Sequence, residues 1–154
     1  MSHYLDLKTT ITDAEALARA LTRMGIPRSA IQIHNKAVDM DGWNGQQRKA
    51  NVLVKKQWIH DHQQQCDMKA GYAYSDMGFI QEADGSYKAL VDDHNFSPAW
   101  VQKMSTYYNV EKTKIELDAK KITYSESTEK GLPVITAKIP NRNKVVNKAM
   151  ISFN

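Results

Sequence analysis

Apolar and polar side chains alternate between Tyr4 and Thr10, and the spacing then changes to that of a helix. Strict alternation predicts a β-strand with one buried face. Leu17, Leu21 and Met24 follow at intervals of three or four residues, which is the spacing of one face of an α-helix. The pattern therefore predicts a strand followed by an amphipathic helix.

Residues that begin and end helices flank this second segment. Thr12 and Glu15 have the spacing of a capping box, in which the Thr12 hydroxyl accepts from the Glu15 backbone and the Glu15 carboxylate reaches back. Gly25 suits the left-handed position that follows a helix, and Pro27 cannot continue one. The helix is therefore predicted to begin after Thr12 and to end before Gly25.

Two tight turns predict two β-hairpins in the middle of the chain. Asn44-Gly45 tolerates the positive φ values of a type I′ turn, and Asp84-Gly85 is a second hairpin signal. The segments around these turns predict strands at 31–34, 38–43, 52–54, 78–80 and 87–91, with Ala70–Tyr74 as a further candidate. Residues 57–75, here called the polar excursion, contain three consecutive glutamines and are predicted to leave the sheet.

The last third of the chain predicts a second helix and two further strands. Ser97 suits the N-cap and Pro98 the first helical position. An apolar stripe then continues to Ala119, with a break expected near Asn109. Segments 122–124 and 134–139 have strand character on either side of a turn at 129–131.

Together these elements predict one α+β domain over residues 1–154, a mostly antiparallel sheet with two helices packed on one face. The polar excursion interrupts the domain, and a basic C-terminal extension at 138–154 follows it. Because the first strand has no leader before it, we expect a complete small protein.

Composition favours a globular protein and argues against a membrane-spanning or secreted one. A chain of 154 residues with 42% hydrophobic and 25% charged residues is typical of one globular domain. No apolar run approaches the ~20 residues that cross a bilayer, and no secretory signal is recognisable. The single cysteine cannot form an internal disulfide, which fits a reducing cytoplasm. The net charge of +4 permits but does not require an anionic partner.

A resemblance to a known family is carried by the segments Met1–Tyr4, Leu7–Thr9, Gly42–Gln46, Met77–Phe79 and Trp100–Tyr108. They resemble a small conserved family of unknown function that is encoded in algal plastids, cyanobacteria and some of their phages. The resemblance extends over about residues 1–119. The polar excursion and the longer basic tail are similar to longer, phage-type members, which implies a phage origin. The family implies a fold and a cytoplasmic setting, but no catalytic residues.

Potential metal ligands occur together in the polar excursion. His60, His62 and Cys66 offer imidazole and thiolate groups, which are good zinc ligands. Residues that could complete such a site, or serve a metal-dependent hydrolase with it, are Asp92, Asp93 and His94. The spacing matches no established zinc pattern, and polar loops often contain such residues by chance. The sequence therefore offers these six residues as weak metal candidates and predicts no cofactor.

Asp92 and Asp93 also allow two readings of their own. Paired carboxylates at a strand end could bind Mg²⁺ or act as acid and base. Alternatively, they end the strand and cap the helix that follows. The chain has no glycine-rich phosphate loop and no nucleophile elbow, so the sequence favours a protein that is not an enzyme.

The Trp43-Asn44-Gly45 hairpin tip is the first candidate for binding. A tryptophan at a hairpin tip is often exposed, and exposed tryptophans are favoured at interfaces. Packing of Trp43 beneath the hairpin is the alternative. The leading hypothesis is a binding or adaptor protein that acts through an unknown protein partner, or through a second copy of itself, using this hairpin and the polar excursion.

Nucleotide or nucleic-acid binding is the second hypothesis. The aromatic residues predicted on neighbouring strands could stack bases; they are Tyr72, Tyr74, Phe79 and Tyr87. Basic residues that could meet phosphate groups are Arg48, Lys49 and Lys69. In a phage such a protein could sequester a host signalling nucleotide. The alternative is that these aromatic side chains form an ordinary core.

Overall fold

The structure is a computed structural model that describes residues 4–42, 45, 47–69 and 71–138. Its main elements, in chain order, are β1 Tyr4–Lys8, α1 Ala14–Arg23, β2 Gln32–Asp41, β3 Gln47–Val54, α2 Lys56–Asp61, β4 Met77–Gln81, β5 Tyr87–Asp92, α3 Pro98–Ala119, β6 Tyr124–Glu129 and β7 Leu132–Ala137. A short 3₁₀ helix, Arg28–Ala30, joins α1 to β2. These elements confirm the predicted α+β fold.

The first five strands form one antiparallel sheet in the order β1-β5-β4-β3-β2. Its register places Tyr4 of β1 opposite Asp92 of β5, and Gly78 of β4 opposite Leu90 of β5. The two edge strands are therefore β1 and β2. The β2–β3 and β4–β5 pairs are the two predicted hairpins, and β6 and β7 form a separate two-stranded sheet.

Helices α1 and α3 share one hydrophobic core with a face of the large sheet. Leu17 and Leu21 of α1, Met104 and Tyr108 of α3, and Phe79 of β4 are all buried in it. Removing these apolar surfaces from water is the main force that holds the two helices on this face. No helix in the described ranges has the length and apolar character needed to cross a membrane.

The opposite face of the sheet carries a second, smaller cluster of buried side chains from its own strands, which includes Tyr4 of β1 and Met40 of β2. Met40 of β2 lies so close to Gly78 that a Cβ at Gly78 would come within 2.7 Å of the Met40 Cε. The Tyr4 hydroxyl donates to the carbonyl oxygens of Asp41 at 3.2 Å and Asp76 at 3.1 Å. Burial raises the pKa of Tyr4. Side chains are therefore buried on both faces of the sheet.

The beginning of α1 differs from the prediction. Asp13 is the N-cap, and its Oδ1 accepts from the backbone N–H groups of Glu15 at 2.9 Å and Ala16 at 3.2 Å. The N–H groups of Thr12 and Asp13 donate instead to the Tyr108 hydroxyl, at 3.0 and 3.1 Å. The predicted capping box at Thr12 is wrong because the Asp13 carboxylate, one residue later, accepts from the Glu15 N–H that the Thr12 hydroxyl was expected to bind.

Two further predictions of secondary structure are also wrong. Residues 71–74 have no regular secondary structure, and Ala70, where the predicted strand began, lies outside the described residues. The Tyr72 carbonyl accepts from the Asn95 side chain at 3.0 Å rather than from a neighbouring strand. Helix α3 continues through Asn109 without a break, because the following Val110 is buried in a small cluster with Ile135 of β7.

Charged side chains join β6 to the two long helices. Arg23 Nη2 lies 2.7 Å from Glu126 Oε2, and Arg23 Nη1 lies 3.0 Å from Glu111 Oε2. Lys114 Nζ approaches the same carboxylates at 2.6 Å for Glu126 and 3.2 Å for Glu111. Hydrogen bonds from Arg23, and then from Lys114, lower the pKa of Glu126 to about 2 despite its partial burial. This network attaches the small sheet to α1 and α3.

The ion pairs of Glu126 are expected to stabilise the fold near neutral pH and to lose that contribution in acid. A carboxylate with a lowered folded-state pKa stabilises the fold above its unfolded value of 4.5, and the effect declines as the pH falls towards about 2. Urea unfolding should show Glu126→Gln to be less stable by about 1 kcal/mol near neutral pH, since the group is partly screened by solvent. A difference that stays constant as the solution is acidified would contradict this assignment.

Candidate functional site

The polar excursion packs against the loop between β5 and α3. The Trp100 indole N–H donates to the Cys66 carbonyl at 2.9 Å, and the Lys69 N–H donates to the Asn95 carbonyl at 2.9 Å. Asn95 also donates through its side chain to the Tyr72 carbonyl at 3.0 Å. The excursion begins within α2 and is then held at these three points, so it is an anchored part of the fold.

Asp76 directly follows the polar excursion and connects its two ends. Its carboxylate is fully buried and accepts from the Lys56 N–H at 2.8 Å and from the Asp41 N–H at 2.9 Å. Lys55 Nζ lies 2.9 Å from the same carboxylate. A buried charge is tolerated where several donors compensate it. Asp76 therefore joins the start of the excursion, its end and the end of β2.

Four aromatic rings lie side by side where the excursion meets the β5–α3 loop. The ring centroids of His60 and Tyr72 are 4.5 Å apart, those of Tyr72 and Tyr74 are 4.9 Å apart, and those of Tyr74 and His94 are 5.7 Å apart. We call these four residues the ring row. Tilted and edge-on contacts at such distances are the favourable geometries for aromatic side chains.

The backbone beneath the ring row is fixed by close contacts. His60 Nδ1 accepts from the Ala73 N–H at 3.4 Å. Gly71 has a φ of +138°, and a Cβ there would lie 3.1 Å from the Nε2 of His94. A side chain at Gly71 would therefore press on His94, which explains a glycine at this position. Tyr72, in contrast, is 55% exposed and is the most exposed large hydrophobic side chain in the described ranges.

The structure does not bring the metal candidates together. Among the described residues, no three His, Cys, Asp or Glu side chains form a group that could hold a metal ion. His62 stacks on Trp58 with centroids 4.3 Å apart, whereas His60 belongs to the ring row. Cys66 is buried, and burial raises the pKa of its thiol. A metal or thiol site built from these side chains is therefore not supported.

Asp92 and its neighbours end β5, as the alternative reading of this segment proposed. Asp92 is 2% exposed, and its Oδ1 accepts from the His94 N–H at 2.9 Å. The Asp93 carbonyl accepts from Lys69 Nζ at 3.0 Å. The N-cap of α3 is Ser97, whose hydroxyl accepts from the Trp100 N–H at 3.2 Å. The carboxylates therefore end the strand as that reading expected, but its second part, that they cap α3, is wrong because Ser97 caps the helix.

The predicted nucleotide-binding face is only partly formed. Phe79 and Tyr87 are buried in the core under α1 and α3, so their placement on an open sheet face is wrong. Lys49 is exposed on β3, 3.5 Å from Asp39. Arg48 lies over the Tyr4 ring at 5.8 Å, on the face of the sheet opposite the helices. Of the seven predicted residues, Tyr72 and Tyr74 remain in contact with each other, and Lys69 Nζ donates to the carbonyl of Asp93 in the neighbouring β5–α3 loop.

Part of the predicted protein-contact region lies outside the described residues. This applies to Trp43 and Asn44. Most of the predicted basic extension, residues 139–154, also lies outside the described residues, although no contact was predicted there. Gly45 is described: it is exposed, with a φ of +74° and no atom within 4 Å of a Cβ placed there. Its backbone therefore fits the positive φ that the turn required, while the role of Trp43 stays a prediction.

His60 and His94 belong to the ring row for a reason that sequence reasoning missed. The sequence offers both as metal ligands, but each lies against a tyrosine instead. The two histidines are far apart in the chain and meet the tyrosines only because the excursion packs on the β5–α3 loop. No local pattern indicates that packing.

Comparison of the chain with protein-family models, with curated proteins and with solved structures found no match in any of the three.

Proposed function

We propose that this chain is a cytoplasmic, non-enzymatic binding or adaptor protein that contacts a protein partner through the ring row. The observation that carries the proposal is the exposure of Tyr72 at 55% on a fixed aromatic support. Tyrosine is enriched among the residues that contribute most to protein interfaces, because it offers a large amphipathic surface.

The fixed surroundings of Tyr72 strengthen the proposal. Its ring contacts His60 on one side and Tyr74 on the other, and its carbonyl accepts from Asn95. A contact residue that is already ordered loses little conformational entropy when a partner binds. Tyr72 can therefore contact a protein partner in its present position, without rearrangement of the excursion.

Site-specific photo-crosslinking tests this assignment. Tyr72→p-benzoylphenylalanine should give a discrete product of higher mass on irradiation in a lysate of the natural host. Leu132→p-benzoylphenylalanine is the matched control, because Leu132 is also a large exposed side chain, at 43%, but lies on β7 away from the ring row. The control should give no such product.

The crosslinked products decide whether Tyr72 contacts a partner and which kind of partner it is. A protein-sized addition that is specific to position 72 supports the proposal. The same product from purified protein alone would identify the partner as a second copy of the chain. Equal products from both positions, or none from either, would contradict a contact role for Tyr72.

A nucleotide or nucleic acid is the second candidate partner, favoured by one observation. Lys69 Nζ donates to the carbonyl of Asp93, the residue before His94 of the ring row, and stacking of bases on aromatic rings with a cation nearby is a common way to bind single strands. In this case the product at position 72 would disappear after nuclease treatment. Loss of binding at raised ionic strength would agree with it. Sequestration of a signalling nucleotide would be the corresponding biological role.

A further inference from the structure

The outer side of β1 is an open sheet edge. β1 pairs with β5 over all five of its residues, in one register without a bulge. Among the described residues no strand pairs with its other side. A regular edge of this kind presents unpaired backbone N–H and C=O groups to another strand. β1 is therefore open to pairing with a second chain.

The other edge strand, β2, is less suited to such pairing. Its register against β3 shifts between Ile33 and Val38, so the strand bulges there. The Asn51 side chain donates to the carbonyl oxygens of His34 at 3.2 Å and Asn35 at 3.3 Å within this bulge. Because a bulge disrupts regular pairing at an edge, β1 is the edge to which a strand can be added.

The side chains of β1 differ between the two faces of the sheet. Leu5 and Leu7 pack against the large core on the helix side but are only half-buried. Alternation along the strand places Asp6 and Lys8 on the opposite face, where both are exposed. Half-buried leucines beside an open edge leave apolar surface that an added strand would cover.

The charges of β1 are complementary to those of a second copy of the same strand. When two copies pair antiparallel about Leu7, with the helices of both on the same side, Asp6 of each copy lies opposite Lys8 of the other. A shift of two residues in either direction brings like charges together, Asp6 opposite Asp6 or Lys8 opposite Lys8. Opposite charges across two strands are favourable and like charges are unfavourable, so this pattern selects one register.

We propose that β1 is a dimerisation edge, at which two copies of the chain pair antiparallel about a two-fold axis beside Leu7. Each contact then occurs twice, and the two five-stranded sheets become one continuous sheet. The two Leu7 side chains meet on the helix side, where β1 and Val101 of α3 line a cavity of about 400 Å³. Because the paired strands are short, the dimer is weak and reversible. The proposal is independent of the ring row, which lies on other elements of the fold.

Charge reversal tests the register of a dimer that sedimentation equilibrium should detect in the wild type. Asp6→Lys places like charges opposite each other at two positions and should raise the dissociation constant about tenfold or more. Lys8→Asp should have a similar effect. The double variant Asp6→Lys/Lys8→Asp restores both opposite pairs and should dimerise like the wild type. Asp39→Lys is the matched control, because Asp39 is also exposed but lies on β2, and it should leave the dimer unchanged.

Disulfide formation tests the position of the axis. Only a residue at the axis lies opposite itself, with Cα atoms about 4.5–5.5 Å apart, which is within the range of a disulfide. Leu7→Cys should therefore form a covalent dimer under mild oxidation. Leu5→Cys is the matched control, because it makes the same change on the same face of β1 but lies opposite Thr9 in this register, and it should not crosslink. The native Cys66 is buried and does not compete.

Three results would overturn the proposal. They are a wild type that stays monomeric at every concentration measured, a double charge variant that dimerises no better than Asp6→Lys alone, and equal crosslinking of Leu7→Cys and Leu5→Cys. The charge variants should keep the melting temperature of the wild type, because both side chains are exposed. A dimer that Tyr72→Ala abolishes and Asp6→Lys does not would also overturn the proposal, by placing the contact at the ring row.

Discussion

Replacing Gly25 with alanine is expected to lower the free energy of unfolding by about 3 kcal/mol. Gly25 follows α1 with a φ of +98°, and a Cβ there would overlap the Gln65 carbonyl oxygen and lie 2.8 Å from its carbon. The substitution therefore adds backbone strain to a collision with the backbone of the polar excursion. Urea denaturation followed by circular dichroism would measure the loss.

Gly85→Ala is the control, because it adds the backbone strain of a positive φ without a collision. Gly85 has a similar φ of +88°, but nothing lies within 4 Å of a Cβ placed there. The control should cost about 1 kcal/mol, which is the usual penalty for alanine in the left-handed region. If the two variants lost equal stability, the contact between α1 and the excursion would contribute nothing measurable.

Replacing Asp76 with alanine is expected to cost about 3 kcal/mol or more. The fully buried carboxylate accepts from the Asp41 and Lys56 N–H groups and from Lys55 Nζ. Without it these backbone donors lose their partner inside the protein. Chemical denaturation should therefore show a large shift of the midpoint, with the excursion loosened at its base.

Lys55→Ala distinguishes the contribution of the ion pair from that of the backbone donors. The Lys55 side chain is 42% exposed, so its loss should cost about 1 kcal/mol or less. Asp76 would keep both of its backbone donors in that variant. A larger loss for Lys55→Ala than for Asp76→Ala would show that the charge, and not the backbone hydrogen bonds, is what holds the excursion.

Local signals in the sequence predicted most of the elements, because short-range chemistry determines them. Gly25 adopts its positive φ after α1, and Gly85 does so in the β4–β5 hairpin. Ser97 and Pro98 begin α3 as the cap and the first helical residue. Each of these positions depends on the conformational preference of one or two residues, and the sequence displays such preferences directly.

The face occupied by each strand residue could not be predicted in the same way. Alternation distinguishes a buried face from a solvated one, but this sheet buries side chains on both faces. Phe79 packs under the helices, while the adjacent Ile80 packs with the smaller cluster on the opposite face. An aromatic residue on β4 therefore gave no indication of whether it would be exposed.

The ring row was beyond sequence reasoning for a related reason. Tyr72 and Tyr74 were recognised as binding candidates, but on a strand that does not form. His60 and His94 join them only through tertiary contacts such as the bond from the Trp100 indole to the Cys66 carbonyl. Packing between distant segments decides which polar and aromatic residues gather at a surface, and that information is not local.

The position of β1 in the sheet has a consequence for synthesis of the chain on the ribosome. β1 is the earliest strand among the described residues, yet its partner is β5, with Tyr4 opposite Asp92. Translation must therefore deliver every strand through β5 before β1 can be incorporated. An unpaired strand is prone to join the edges of other chains. Asp6 and Lys8 carry exposed charges along β1, and charges on an unpaired strand disfavour its pairing with the edge strands of other chains.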